Sequence, residues 1–534
     1  MNILMVAAEN GALAGGKVGG MGDVIRDIPL ALTRQGHHVD VIMPGYMHFS
    51  KLPGAHLRAE VVVPFRGHQE RVKVFELPAA EDGSLVRCWL LEHTEFAAAG
   101  AGKIYCDDPP DRPFASDASK FALFSVAVAQ AVVDGVLDDY QVIHLHDWHS
   151  ALLAVLARYH PYYEAISAKT LVYTIHNLSL QGIRPLHGDS SSLHSWFPEL
   201  VCDTTQLRDP RYGDCINPMR AAIRLCDKVH AVSPAYAHEI QRPSDRERGF
   251  VGGEGLESDL RQACSEGRLV GILNGCEYPD VAESDAGEEG ADSSLVEGSL
   301  LSEGSLQVLK QQVLQWIAAQ QSVPSVHYIA ADRINDWRQA SLPDDVVLVT
   351  SVGRLTDQKV RLLREPLGDG RSGLEHILDR LEGRGLLLLL GSGDPVYESF
   401  IAKVAAARSN LLFLKGYSED LAELMYAHGD LFLMPSSFEP CGISQMLAMR
   451  AGQPCLVHGV GGLRDTVSDN LTGFVFSGDS PLQQAENMVE RFSEAIALRS
   501  EDPDQWQGVS QAAGACRFYW SDVAEQYVSQ LYGG

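Results

Sequence analysis

The sequence contains no CxxC pair, and its ten cysteines show no regular spacing, so a disulfide framework is not expected in a chain this long. Long apolar runs are also missing. The most apolar stretches, Phe121–Val133 and Gly385–Gly391, are too short to span a bilayer. No basic leader precedes the strand-like run Ile3–Ala8, so no signal peptide is expected. Together these absences predict a cytoplasmic protein.

Basic residues are in the minority. Lys and Arg number 43 against 70 Asp and Glu, which gives a formal net charge of −27. Such a charge argues against nucleic acid or an anionic membrane as a partner. An anionic substrate would need a local cluster of cations to overcome the overall field. The length of 534 residues exceeds what one core usually supports, so two domains are expected.

Short apolar runs alternate with helical patterns, as in doubly wound α/β proteins. Strands are expected at Ile3–Ala8, Val39–Met43, Val142–Leu145, Leu171–Ile175 and Val229–Val232, and helices at Asp23–Gln35, Ser119–Gly135 and Ala151–Tyr159. A second series of strands is expected at Leu269–Leu273, Val346–Val352, Leu386–Leu390, Leu411–Leu414, Leu431–Met434 and Cys455–Val457. Two such series predict two parallel sheets, with ligand in a cleft between them at the C-terminal strand ends.

The segment 280–304 breaks this pattern, because it is acidic, rich in Gly and Ser, and free of Lys and Arg. That composition is typical of a solvated, mobile insertion.

A glycine-rich loop, GKVGGMGDV at Gly16–Val24, follows the first strand. Neither a P-loop nor a dinucleotide fingerprint fits it, because Val18 replaces the magnesium-binding Ser or Thr and Ile25 replaces the third glycine. The remaining interpretation is a backbone turn and helix start that face a diphosphate, with Lys17 adding charge.

Two cations and a carboxylate follow strands of the second series. Arg354 and Lys359 lie in GRLTDQK, a loop after Val346–Val352, where they can stabilise a departing diphosphate. Glu439 lies in PSSFEPCGISQMLAMRAG, Pro435–Gly452, a loop that opens into a helix and places a carboxylate near sugar hydroxyls. Each motif alone would favour a simpler alternative. For GRLTDQK it is two solvated basic residues, and for the Glu439 motif it is an ordinary charge at a helix start.

Two histidine motifs follow strands of the first series: HLHDWH at His144–His149 and HNLSLQG at His176–Gly182. The first has a spacing that suggests metal, but no cysteine or carboxylate-rich partner set accompanies it, so no metal is expected. A core histidine is the alternative for His176.

Taken in order, GKVGGMGDV, HNLSLQG, GRLTDQK and the Pro435–Gly452 motif resemble those of bacterial glycogen synthases and plant starch synthases, glycosyltransferase family five. The resemblance runs to about residue 475, with a poorly matching middle. It implies the GT-B fold, two facing Rossmann-like domains with an interdomain cleft. The domains expected are 1–268 on the acceptor side and 269–515 on the nucleotide-sugar side, with a helix in 516–534 that crosses back to the first.

The resemblance also implies the site. The catalytic residues would be Arg354, Lys359, His176 and Glu439. The substrate-binding residues would be Lys17, Gly19, Gly20, Gly22, Asp23, Asp147, Asn177, Gln181, Asn274, Tyr417, Cys441, Gly442, Gly461 and Gly462. Tyr417 is expected to pack on the nucleotide base. The sequence departs from the family where Val360 replaces a usual glycine, where Val360–Ser372 looks inserted, and where Val460 replaces a common phosphate-binding Thr.

The function implied is transfer of glucose from ADP-glucose to the non-reducing end of an α-1,4-glucan, with retained configuration and without cofactor. Same-face attack is favoured over a covalent intermediate on Glu439. A transferase that uses UDP-glucose or a small acceptor stays open, as does a catalytically weak protein that binds glucan or sugar nucleotide. Oligomeric state is not predicted.

Overall fold

The computed structural model describes residues 1–78, 86–278, 303–320, 323–340 and 346–533. The chain divides into two compact units. The first unit contains Met1–Ser244, Val251–Gly275 and Tyr519–Gly534, and the second contains Asp245–Phe250 and Cys276–Phe518. The acidic segment 280–304 lies outside the described residues except for its last two, which begin a helix.

The first unit is built on a nine-stranded sheet and a two-stranded one. The strands are β1 Asn2–Val6, β2 His38–Pro44, β3 His56–Phe65, β4 His68–Leu77, β5 Arg87–Glu92, β6 Val142–His146, β7 Thr170–Ile175, β8 Arg184–Pro185, β9 Cys215–Ile216, β10 Lys228–Ala231 and β11 Leu269–Gly271. The large sheet has the order β11-β10-β7-β6-β1-β2-β5-β4-β3, with only β3–β4 and β4–β5 antiparallel, and β8 pairs with β9. Strands β1, β6 and β7 are buried almost throughout, which explains their largely apolar sequence.

Among the described residues, the α-helices that accompany these strands are α1 Gly20–Arg34, α2 Ala115–Val133, α3 Asp147–Ser150, α4 Leu152–Tyr159, α5 Leu193–Trp196, α6 Pro218–Leu225, α7 Pro234–Glu239 and α8 Glu257–Ser265. Helix α2 begins earlier than the apolar run that marks it in the sequence. The helix is longer than the apolar run Phe121–Val133, and its 19 residues have the length and composition of a membrane-crossing helix. However, 83% of that stretch is buried inside the protein, as in the core helix of a globular unit.

The second unit contains a six-stranded parallel sheet. Its strands are β12 Val347–Val352, β13 Gly385–Gly391, β14 Leu411–Lys415, β15 Leu431–Met434, β16 Cys455–His458 and β17 Gly473–Phe476, in the order β14-β13-β12-β15-β16-β17. Its helices are α9 Glu303–Ala318, α10 Ser325–Gln339, α11 Asp357–Arg364, α12 Gly373–Leu381, α13 Pro395–Ala407, α14 Glu419–His428, α15 Ser444–Arg450, α16 Gly461–Thr466, α17 Pro481–Glu501 and α18 Pro503–Ala515. Two apolar clusters pack on the sheet. The parallel sheet predicted for the second series is confirmed, and the sheet of the first series is parallel except for the antiparallel pairs β3–β4 and β4–β5.

The end of the chain returns to the first unit. Helix α19, Trp520–Gln526, packs against α1 and continues into a π-helical turn, Tyr527–Leu531. The single helix expected over 516–532 is therefore shorter and irregular.

The second series of strands starts later than the sequence suggests. The run Leu269–Leu273, expected to open it, forms β11, which pairs in parallel with β10 at the edge of the first sheet. The division between units follows it, at Gly275 and Cys276.

Candidate functional site

The glycine loop of the first unit is organised by Glu9, a buried acid directly after β1. Its Oε2 accepts from the backbone N–H groups of Val18 and Gly19 at 2.7 and 2.8 Å, and Tyr105 donates to its Oε1 at 2.6 Å. Sequence reasoning missed Glu9, although its position at a strand end was a usable signal. The carboxylate fixes the loop immediately before α1.

The expected phosphate-binding residues lie around the start of α1. Lys17 Nζ pairs with Asp23 Oδ1 at 2.5 Å, so two of the predicted residues contact each other. A side chain at Gly22 would lie 2.9 Å from the Lys17 Cβ, whereas one at Gly20 would meet nothing within 4 Å. Gly22 therefore permits close packing inside the loop, and Gly20 leaves open space at the start of α1, where backbone N–H groups point out of the helix.

Asp147 holds the loop that carries His176. Its backbone is left-handed, with φ of 54°, which is strained for a residue other than glycine. Its Oδ1 accepts from the N–H groups of His176 at 2.8 Å and Asn177 at 3.4 Å. Burial raises the pKa of Asp147 to about 7, against these two N–H groups, which lower it.

His176, which is partly buried directly after β7, adjoins a group of buried histidines on β6 and β10. His146 Nδ1 lies 3.0 Å from His176 Nε2, and the rings of His144 and His146 stack at 4.3 Å. Burial lowers the pKa of His176 to about 3 and that of His230 to about 4. All of these rings are therefore neutral near pH 7. His144 uses both ring nitrogens in hydrogen bonds to protein groups, whereas His146 Nε2 and His149 Nδ1 have no hydrogen-bond partner among the described residues.

The rest of HNLSLQG has a structural part. The Gln181 amide is buried, donates to the carbonyls of Leu178 and Glu254, and accepts from Arg211 and Asn217. Because its polar atoms are engaged by protein groups, Gln181 holds this loop in place rather than presenting a free amide.

In the second unit, Lys359 and Glu439 are joined. Lys359 Nζ forms an ion pair with Glu439 Oε2, and Ser436 Oγ donates to the same oxygen at 3.0 Å. The loop before Glu439 also lies against the start of α11, since Ser437 N donates to the Gln358 carbonyl at 2.8 Å. The two motifs therefore form one site.

Lys359 lies in the first turn of α11, not in a loop as the sequence suggested. The helix continues through Val360, which is buried in the core of the unit. The stretch that looks inserted thus completes α11 and turns into the capping box of Ser372 and Glu375 at α12.

Arg354 is exposed in the loop between β12 and α11. Its guanidinium forms no salt bridge or side-chain hydrogen bond with any residue of the described ranges. The helix start thus carries one cation held by a carboxylate and one that is available to an anion.

The remaining predicted residues of this motif shape a close backbone approach. Gly442 has φ of 80°, and a side chain at Gly462 would lie 2.3 Å from the Cys441 carbonyl oxygen. The Gly462 N–H donates to the Glu439 carbonyl at 3.1 Å, so it is engaged within the protein, while Gly461 begins α16.

Two predicted residues lie further along. Tyr417 follows β14 and is 63% exposed, and its carbonyl accepts from Trp316 Nε1 at 3.1 Å. Asn274 is buried at the end of the first unit, and its Oδ1 has no hydrogen-bond partner among the residues that the structure describes.

One group in the described chain has the composition of a metal site: His38, Asp40 and Asp138. Arg87 already fills it, because its guanidinium bonds His38 at 3.0 Å and Asp40 at 2.6 Å and pairs with Asp138. This group is a salt-bridge network at the N-terminal ends of β2 and β5, inside the first sheet.

Comparison with known proteins gives a consistent result. Residues 2–262 match the family described as the starch synthase catalytic domain, and residues 374–507 match glycosyl transferases group 1. The glycogen synthase of Streptococcus sanguinis strain SK36 is 33% identical over 556 residues, covering 100% of this chain and 99% of that protein. That of Gloeobacter violaceus is 33% identical over 546 residues, covering 100% and 98%.

Among solved structures, the catalytic domain of starch synthase IV from Arabidopsis thaliana, bound to ADP and acarbose, is similar with a TM-score of 0.73 and 25% identity, covering 99% of this chain and 98% of that one. The GT-B class predicted from the sequence is thereby confirmed.

Proposed function

This chain belongs to the glycogen synthase family, and from that premise we propose how its residues transfer glucose from ADP-glucose to the non-reducing end of an α-1,4-glucan. The enzyme is a glycosyltransferase of the glycogen and starch synthase type. The observation that carries the proposal is the ion pair of Lys359 with Glu439, next to an Arg354 that has no carboxylate partner in the described chain.

Arg354 and Lys359 stabilise the departing diphosphate. Cleavage of the bond between glucose and phosphate increases negative charge on the leaving group, and fixed cations act on that change without reorganising. In a protein with a net charge of −27, such cations must be local. Lys359 is held in place by Glu439, whereas Arg354 is free to close on the ligand.

Glu439 acts by positioning Lys359 and binding sugar hydroxyls. Its Oε2 already receives both Lys359 Nζ and Ser436 Oγ, and a carboxylate so paired is a weak nucleophile. This supports attack by the acceptor hydroxyl on the same face from which the phosphate departs. The leaving phosphate then takes the hydroxyl proton, and the new glycosidic bond keeps the α configuration.

The other predicted residues take supporting parts. Tyr417 offers an exposed ring to the adenine, and the open space at Gly20, with Lys17 nearby, accommodates phosphate. The Gly19 N–H is held by Glu9, which fixes the loop beside that space. Asp147 orders the backbone of His176 and Asn177, and His176 binds the glucose that is transferred. The proposed functional division follows the two compact units, with the glucan on the first unit and the nucleotide sugar on the second.

The partners proposed are ADP-glucose and glycogen or a maltooligosaccharide, without nucleic acid, and the proposed location is the cytoplasm. Labelled ADP-glucose and labelled UDP-glucose, each with glycogen and with a short maltooligosaccharide, provide the test. We expect label in the polymer from ADP-glucose. Preferential use of UDP-glucose would show that the donor is UDP-glucose and not ADP-glucose. Binding of glycogen without turnover would show that the protein binds glucan without acting as an enzyme.

A further inference from the structure

A chain of hydrogen bonds in the first unit links His230, Thr174 and His144. A backbone carbonyl fixes the donor and the acceptor at its His230 end. His230 Nε2 lies 3.1 Å from the backbone carbonyl of Ile272, which can only accept. In the neutral ring the proton is therefore on Nε2, and Nδ1 accepts. The Thr174 hydroxyl, at 2.9 Å, is the nearer donor to Nδ1, since the Tyr527 hydroxyl is 3.4 Å away.

The same reasoning continues to the end of the chain. Because Thr174 Oγ1 gives its proton to His230, it accepts from His144 Nε2 at 2.6 Å. His144 Nδ1 then accepts from the Tyr532 hydroxyl at 2.8 Å. One carbonyl thus fixes the tautomers of two buried imidazoles.

His146 stacks on His144 and is in direct contact with the site. Its Nδ1 lies 3.0 Å from His176 Nε2, so one of these nitrogens carries the shared proton. Its Nε2 is buried and has no hydrogen-bond partner in the described part of the chain. An orphaned buried N–H is rarer in proteins than an orphaned acceptor. The proton of His146 therefore belongs on Nδ1.

We propose that His146 is a positioning residue: its Nδ1–H donates to His176 Nε2 and so fixes His176 in the Nδ1–H tautomer. His176 then presents a hydrogen-bond donor, not an acceptor, from Nδ1. No acceptor among the described residues lies within hydrogen-bond reach of that nitrogen, which leaves it for an oxygen of the ligand. The tautomer follows from the hydrogen bonds alone, whereas its use toward a glucose hydroxyl rests on the proposed function.

The hydrogen bond between the two rings favours one neutral tautomer of His176 over the other. A neutral imidazole free in water populates both tautomers, and only one of them can donate from a given nitrogen. Burial keeps the pKa of both His146 and His176 below the usual value, so the donor is not obtained by protonating either ring. The hydrogen bond between the two rings is what supplies the correct form.

The test is the ¹⁵N spectrum of the ligand-free full-length enzyme labelled at histidine. Protonated and bare imidazole nitrogens differ widely in shift, and their two-bond couplings to the ring hydrogens distinguish Nδ1 from Nε2. His176→Gln identifies the resonances by their loss. We expect His176 with a protonated Nδ1 and a bare Nε2. A protonated Nε2 on His176 overturns the proposal, whatever the enzyme's activity.

Two variants test the dependence on His146. His146→Leu removes the donor, and His146→Asn returns an amide N–H near the position of Nδ1. In His146→Leu we expect a second set of His176 resonances with Nε2 protonated and a decrease of about tenfold in kcat, the size of one lost hydrogen bond. In His146→Asn the single tautomer returns and kcat lies within about threefold of the wild type.

Tyr163→Phe is the matched control, because it removes another buried hydrogen bond of this unit, to Gln130 at 2.9 Å, away from the histidines. It should leave the His176 resonances unchanged. If His146→Leu keeps a single Nδ1–H tautomer, or if Tyr163→Phe changes the tautomer equally, the proposal fails. If His146→Leu does not fold, the wild-type spectrum alone decides. Absence of turnover with ADP-glucose would contradict the proposed function but not the tautomer.

Discussion

Lys359 Nζ and Glu439 Oε2 form an ion pair across a sequence separation of 80 residues. The Glu439 side chain is almost wholly buried, and that of Lys359 is 22% exposed, so the pair is shielded from solvent much more than a surface salt bridge. Breaking such a pair leaves one charge without compensation. A single substitution at either residue should therefore affect both the reaction and the remaining partner.

Lys359→Ala should lose orders of magnitude in kcat, because a fixed cation facing the departing diphosphate is removed. The variant also leaves Glu439 buried without its counter-charge, so a modest decrease in melting temperature is expected. Steady-state rates with saturating ADP-glucose and glycogen, together with a thermal unfolding curve, give both results.

Arg361→Ala provides the control, since Arg361 is on the same helix, two residues away, and contacts Glu365 near the surface. Its rate should stay within about twofold of the wild type, as surface pairs contribute little. A Lys359→Ala enzyme that is folded and nearly as fast as Arg361→Ala would contradict the role assigned to Lys359.

Glu439→Gln should decrease kcat because the position of Lys359 is disturbed, not because a nucleophile is removed. The amide keeps the shape but not the charge, so Lys359 Nζ is no longer fixed by an ion pair, and kcat should decrease by about tenfold to a hundredfold. Intact-protein mass spectrometry of the wild type, quenched during turnover with a slow donor analogue, should show no added glucosyl group. A glucosyl adduct mapped to Glu439 would replace same-face attack by a covalent mechanism.

Acid should destabilise the first unit through its buried histidines. Burial lowers the pKa values of His144, His146, His149, His176 and His230. Below about pH 6.5 the unfolded chain binds protons at these rings while the folded chain does not. The free energy of unfolding therefore falls with decreasing pH from about 6.5, by up to about 1.4 kcal/mol per pH unit for each ring.

The ionisation of Asp147 changes the pH dependence of the unfolding free energy in the opposite direction. Its pKa is raised to about 7, so the stability it contributes is present below the unfolded value near 3.9 and is lost as pH rises through 7. Asp147→Asn should therefore make the loss in acid steeper. His230→Asn should reduce the slope of the unfolding free energy against pH by the contribution of about one proton. Urea midpoints between pH 5 and 8 measure both slopes, and equal slopes for the wild type and His230→Asn would contradict this account.

The sequence predicted the strand ends that carry the candidate site because buried parallel strands consist largely of apolar residues. It missed the hairpin of β3 and β4, whose residues alternate between buried and exposed and include many charges. It also assigned β11 to the wrong series, because a three-residue strand shows no sign of which neighbour it will pair with.

The same limits apply to the site. Motif order singled out Lys359 and Glu439 as candidates, but their ion pair is a tertiary contact that no local sequence pattern predicts. Glu9 was overlooked because a single acid after a strand resembles a loop residue. Its importance appears only when the amides of Val18 and Gly19 are seen to converge on it.

Gly182 closes the HNLSLQG loop, and its replacement gives a further test. Its φ is 63°, and a Cβ there would lie 2.2 Å from the ring of Trp148, which is buried beside Asp147. Gly188 has a similar φ of 80°, but a Cβ there meets nothing within 4 Å.

Gly188→Ala should therefore cost only the backbone strain, about 1 kcal/mol. Gly182→Ala adds a collision with a rigid ring and should cost several kcal/mol more, by analogy with overpacked cores. The displaced Trp148 would also disturb the Asp147 contact to His176, so kcat should fall in Gly182→Ala and not in Gly188→Ala. Chemical denaturation and steady-state rates of the two variants decide the point, and equal unfolding free energies would show that the loop accommodates the methyl group.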